Sequence, residues 1–92
     1  MKGHGPEENT MHAAGRHGPH EGEGKIFAER DGKTIELEYR YHSTVAGAFH
    51  GSISIWDPEE DAMELTAYMS RELPTRQAMI EWIFQKAEKL TR

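Results

Sequence analysis

The chain has 92 residues and a mass of 10.5 kDa, with 11 Lys and Arg against 16 Asp and Glu for a net charge of -5. That length leaves room for one small domain, and the absence of cysteine removes disulfides, a thiolate nucleophile and Cys-based metal sites. No apolar run approaches the roughly 20 residues of a membrane-spanning helix, so no membrane association is expected and a cytoplasmic location is the default.

Residues 1–24 hold six of the nine Gly, two of the four Pro and four of the six His, and no aromatic side chain. Met1, Met11, Ala13 and Ala14 offer too little apolar area to offset the entropy of ordering the segment. It is therefore expected to be a disordered Gly/His-rich tail. Gly3, His4, Gly5 and Pro6 stand where a signal peptide would carry an apolar run.

Residues 25–92 carry all eight aromatics and are expected to form a single small α+β domain. Asp31-Gly32, between Ile26-Phe27-Ala28 and Thr34-Ile35-Glu36-Leu37, predicts a two-residue hairpin turn. It sets Arg30 opposite Lys33, Ala28 opposite Ile35 and Ile26 opposite Leu37. In the second strand Ile35, Leu37, Tyr39 and Tyr41 alternate with Glu36, Glu38, Arg40 and His42, so one side is core and the other wet.

A third strand runs through Phe49, Gly51, Ile53 and Ile55 on the apolar side. For both apolar sets to share a face the loop needs an odd length, and Val45-Ala46-Gly47 fits, with Gly47 left-handed. His42 then faces His50, Arg40 faces Ser52 and Glu38 faces Ser54.

Residues 57–73 have two readings. Asp57-Pro58-Glu59-Glu60 resembles a helix start, with Ala62, Leu65, Met69 and Leu73 on one stripe. Met63, Leu65, Ala67 and Met69 also alternate with Glu64, Thr66, Tyr68 and Ser70, and Asp57 to Asp61 would then form a polar turn. The strand is preferred, because it shields apolar surface of the third strand and leads into the last helix. Pairing Ile55 with Met63 sets His50 opposite Tyr68. After Pro74, Thr75 is the expected cap of a C-terminal helix whose stripe is Ile80, Ile83, Phe84, Ala87 and Leu90. Lys86, Lys89 and Arg92 complement the negative end of its dipole. The expected fold is thus a four-stranded antiparallel meander with one helix packed on one face. The alternative has three strands and two helices.

Trp56, Tyr68 and Phe27 are expected on the outer face of the sheet, and Trp82 lies off the helix stripe. A contiguous patch of large rings marks a partner surface, so these four residues are the expected interaction surface. The function expected is a small non-enzymatic interaction or regulatory module that self-associates, as a homodimer, or binds a protein partner.

A second reading is metal binding, without a dedicated cofactor site, by Zn, Ni or Cu at the tail histidines His4, His12, His17 and His20, joined by His42 and His50. Their spacings match no specific site. A third reading is nucleic-acid binding, against which the acidic balance argues. Ser43, Ser52, Ser54 and Ser70 have no acid–base partner at a diagnostic spacing, so catalysis is not expected.

Overall fold

The structure, a computed structural model, describes residues 11–30, 32–56 and 65–91. They form strands β1 (His12–His17), β2 (Glu21–Arg30), β3 (Lys33–Ser43), β4 (Phe49–Trp56) and β5 (Leu65–Met69), then helix α1 (Arg76–Leu90). The strands make one antiparallel sheet in the order β1-β2-β3-β4-β5. The class is α+β, with the helix against β4 and β3 on one face.

The two turns named from sequence set the central register. Gly32 at φ 79° closes the β2–β3 hairpin, with Arg30 opposite Lys33, Ala28 opposite Ile35 and Ile26 opposite Leu37. Asp31 lies outside the described residues. Gly47 at φ 87° ends the loop into β4, where the Thr44 N–H donates to the Ala48 carbonyl at 2.7 Å. His42 faces His50, Arg40 faces Ser52 and Glu38 faces Ser54, as the odd loop length requires.

On the helix-covered face Ile26, Leu37 and Ile53 are fully buried against Met79 and Ile83. Each such side chain contributes about 1.5–3 kcal/mol through removal from water. Thr75 caps the helix, its hydroxyl accepting from the Ala78 N–H at 3.0 Å, and Lys89 stands in the last turn. The fully buried helical residues are Met79, Ile83 and Ala87, while Ile80, Phe84 and Leu90 flank them half-buried. Relative to the stripe expected from sequence, the buried line begins at Met79. Its terminal methyl occupies the space where Gly51 has no side chain.

Two expectations are corrected. The first is the four-stranded sheet with residues 11–24 left in a tail, because β1 and the first part of β2 lie within that stretch and the sheet gains a fifth strand. The segment's own apolar atoms supply little of the surface that orders it. The covering surface comes from β3, whose Tyr41 and Tyr39 are paired with Gly22 and Gly24. A Cβ on Gly24 would stand 2.5 Å from the Tyr39 hydroxyl, so the bare glycine is what lets the ring lie across the strand. Residues 1–10, including His4, lie outside the described residues.

The second correction concerns β5. The strand is present, but Tyr68 pairs with Ile53 and Thr66 with Ile55, a three-residue shift from the pairing of His50 with Tyr68. An odd shift reverses every side chain. Ser70 explains the preference for the observed register: its N–H donates to the Gly51 carbonyl at 2.8 Å, and its hydroxyl accepts from the Gly51 N–H at 2.9 Å. Tyr68 thereby faces α1 and lies under the Lys86 ammonium, 4.8 Å from the ring centre. Met63 and the turn expected at residues 57–61 lie outside the described residues. No helix among the described residues is long and apolar enough to cross a membrane.

Candidate functional site

Register alone determines which side chains share the face opposite the helix. Across the strands, one row is His12, Phe27, Glu36 and Trp56; the next is Ala14, Lys25, Glu38, Ser54 and Ala67. A third is Arg16, Glu23, Arg40, Ser52 and Met69, and a fourth begins Glu21, His42, His50. Between the second and third rows lies an open depression of about 630 Å³ lined by Arg16, Glu23, Lys25, Glu38, Arg40 and Ser52.

The face is charged at its centre and apolar toward one side. Lys25 Nζ lies 3.1 Å from Glu36 and 3.7 Å from Glu38. The hydrogen bond to Glu36, then the charge of that carboxylate, hold the lysine pKa above its ordinary 10.5, and Glu38 adds to the shift. Phe27 and Trp56 are 36% and 38% exposed, large for rings on a sheet. Met69, on β5, is 62% exposed. An open, polar-centred face of this kind suits a broad, flat partner better than a small molecule, which needs a pocket that encloses most of its surface.

The four rings expected together do not share this face. Phe27 and Trp56 do, in one row on either side of Glu36. Tyr68 lies on the helix side because of the β5 register, and Trp82 is half-buried on α1, packed against the core.

The histidines divide three ways. His42 and His50 face each other on the outer side, ring centres 5.9 Å apart, with Glu21 beside His42 in place of the expected Tyr68 beside His50. His12 is exposed on β1 and His20 sits in the β1–β2 turn. His17 faces the helix side, its Nε2 2.5 Å from the Tyr39 hydroxyl and its ring 6.5 Å from that of Phe84. Among the described residues no group of three or more His, Cys, Asp or Glu comes together to hold a metal ion.

Comparison with protein-family models, with curated proteins and with solved structures finds no match. The site therefore rests on its own geometry.

Two groups of residues were not singled out from the sequence. One is the block of charges Glu23, Lys25, Glu38 and Arg40. Alternation placed Glu38 and Arg40 on the wet face, but Glu23 fell in the segment read as tail. The other is Arg76, whose guanidinium donates to the His17 carbonyl at 2.5 Å and the Gly18 carbonyl at 3.0 Å. It ties the β1–β2 turn to the start of the helix across 58 residues of sequence, a pairing that no local pattern announces.

Proposed function

We propose that the protein is a non-enzymatic interaction module that self-associates through the sheet face opposite α1. The observation that carries this reading is the exposure of Phe27 and Trp56 in a single row of that face. Rings held on a rigid sheet lose little conformational freedom on binding, and aromatic side chains are enriched where partners meet. Arg16, Glu23 and Arg40 on the same face have no ion pair among the described residues, so their charges are available to a partner. A small core adds a reason for a second copy, since association stabilises a marginal fold by mass action.

Light-scattering mass across a concentration series tests the reading. The wild-type chain should exceed its 10.5 kDa monomer mass as concentration rises, and Trp56→Asp or Phe27→Asp should return it to monomer. Val45→Asp, at a fully exposed loop tip between β3 and β4, should change nothing. A monomer at every concentration, or an equal loss from Val45→Asp, overturns the reading.

A further inference from the structure

Resting on that reading, we infer that the occupant of the outer face is a second copy of the chain, related by a twofold axis that runs across the strands between Lys25 and Glu23. Four charges decide this. Glu23 and Lys25 are successive outward residues of β2, and Arg40 and Glu38 are their paired neighbours on β3. They form a two-by-two checkerboard in which every charge has the opposite sign both along and across the strands.

A closed dimer presents the same patch from both subunits, so that patch must complement itself. Rotation about an axis lying in the face and perpendicular to the strands lays β2 over β2 and β3 over β3, with the row order reversed. Lys25 then meets Glu23 of the second copy, and Arg40 meets Glu38 of the second copy. Each contact occurs twice by symmetry. In the outer rows Phe27 meets Glu21 of the second copy, Glu36 meets its His42 and Trp56 lies over its His50, while in the inner rows Met69 meets its Ala67. All five strands are covered in this arrangement.

The other in-plane axis, parallel to the strands between β2 and β3, also opposes charges at the checkerboard. It pairs Lys25 with Glu38 and Glu23 with Arg40, but sets two strands on one side of the axis against three on the other. That leaves β5 and its exposed Met69 without a partner. An axis along β3 itself puts Arg40 on Arg40 and Glu38 on Glu38, a like-charge juxtaposition that opposes association. Size is also compatible. Five strands about 4.8 Å apart, over some seven residues of about 3.3 Å rise, span roughly 24 by 23 Å. With side-chain relief this is on the scale of the roughly 800 Å² per partner of a standard interface.

Charge reversal and charge swap test the arrangement, read as dimer Kd by sedimentation at low and high salt. Arg40→Glu should weaken the dimer by more than about tenfold, and Glu38→Arg should do the same. The double variant R40E/E38R gathers two positive side chains, Lys25 and the arginine introduced beside it on β3, in one row. The other row then holds two negative ones, Glu23 and the introduced glutamate. Across the proposed axis these rows face each other, so the swap should restore the dimer. Across the parallel axis Lys25 would face the new arginine, and the swap would fail. Urea midpoints of each variant keep loss of fold apart from loss of contact, and the pair K25E/E23K serves should the first swap fail to fold. A dimer that forms but ignores both reversals, or that the swap does not restore, overturns this arrangement and leaves the interaction module standing. A wild-type chain that stays monomeric overturns both.

Discussion

The Tyr39 hydroxyl lies 2.5 Å from His17 Nε2, two strands away, and the ring reaches it by crossing the bare backbone of Gly24. Around this contact stand the rings of Tyr41, 6.2 Å from that of His17, and Phe84, 6.1 Å from that of Tyr39. The N-terminal strand is thus held by aromatic side chains of β3 and α1, with Met11 directly before it also packed against the core.

Gly24→Ala tests the crossing. In an ordinary strand this change favours the fold by roughly 0.5–1 kcal/mol, because glycine is the more flexible residue. Here the added Cβ would meet the Tyr39 hydroxyl at 2.5 Å and the Ala14 carbonyl at 2.7 Å, and such overpacking costs about 1–3 kcal/mol. The clash outweighs the stiffening of the chain, so urea denaturation should show a destabilised variant. A stabilised one would mean that the ring does not lie over the glycine.

Arg76→Met should release the β1–β2 turn, since it removes both donations to the His17 and Gly18 carbonyls. Hydrogen bonds from a charged donor contribute about 1.5–3 kcal/mol each. Native-state hydrogen exchange should then quicken at β1 amides while β4 and α1 keep their protection. Uniform quickening would mean that β1 unfolds with the whole domain and not separately.

Alkaline titration follows from Tyr39, whose burial, reinforced by neighbouring Tyr41, raises its pKa above the ordinary 10.0. Because the folded state then holds the phenolic proton longer than the unfolded chain, stability is intact below pH 10.0 and falls as pH rises through the folded value. Thermal midpoints read against pH should decline in that window, and Tyr39→Phe should flatten the decline. An unchanged slope in the variant would place the effect elsewhere.

Ser70→Ala should destabilise by about 1–3 kcal/mol, the cost of leaving a buried donor without its acceptor. Ser70 is 5% exposed, and its hydroxyl receives the Gly51 N–H and donates to the Arg71 carbonyl at 2.7 Å. A loss under about 0.5 kcal/mol in chemical denaturation would show that water replaces the hydroxyl.

Trp82→Ala separates packing from association. With Trp82 half-buried against the core, the change should lower the urea midpoint and leave dimer Kd unchanged. A weaker dimer at unchanged stability would return Trp82 to the interface.

The centre of the sheet was legible in the residues themselves. Period-two alternation from Ile35 to His42, Gly32 in one turn and Gly47 in the other determine the pairing of β2, β3 and β4, because each depends on neighbours a few positions apart. Thr75 as the helix cap was legible for the same reason. Only tertiary structure decided β1, the face of Tyr68 and the union of Glu23 and Lys25 with Arg40 and Glu38. Each depends on partners distant in the chain: Tyr39 and Tyr41 cover the glycines of β2, Ser70 locks β5 onto Gly51, and Arg76 reaches back to His17 and Gly18. Local sequence sets which way a side chain points relative to its neighbours, but burial and strand register are settled by what the rest of the fold brings opposite it.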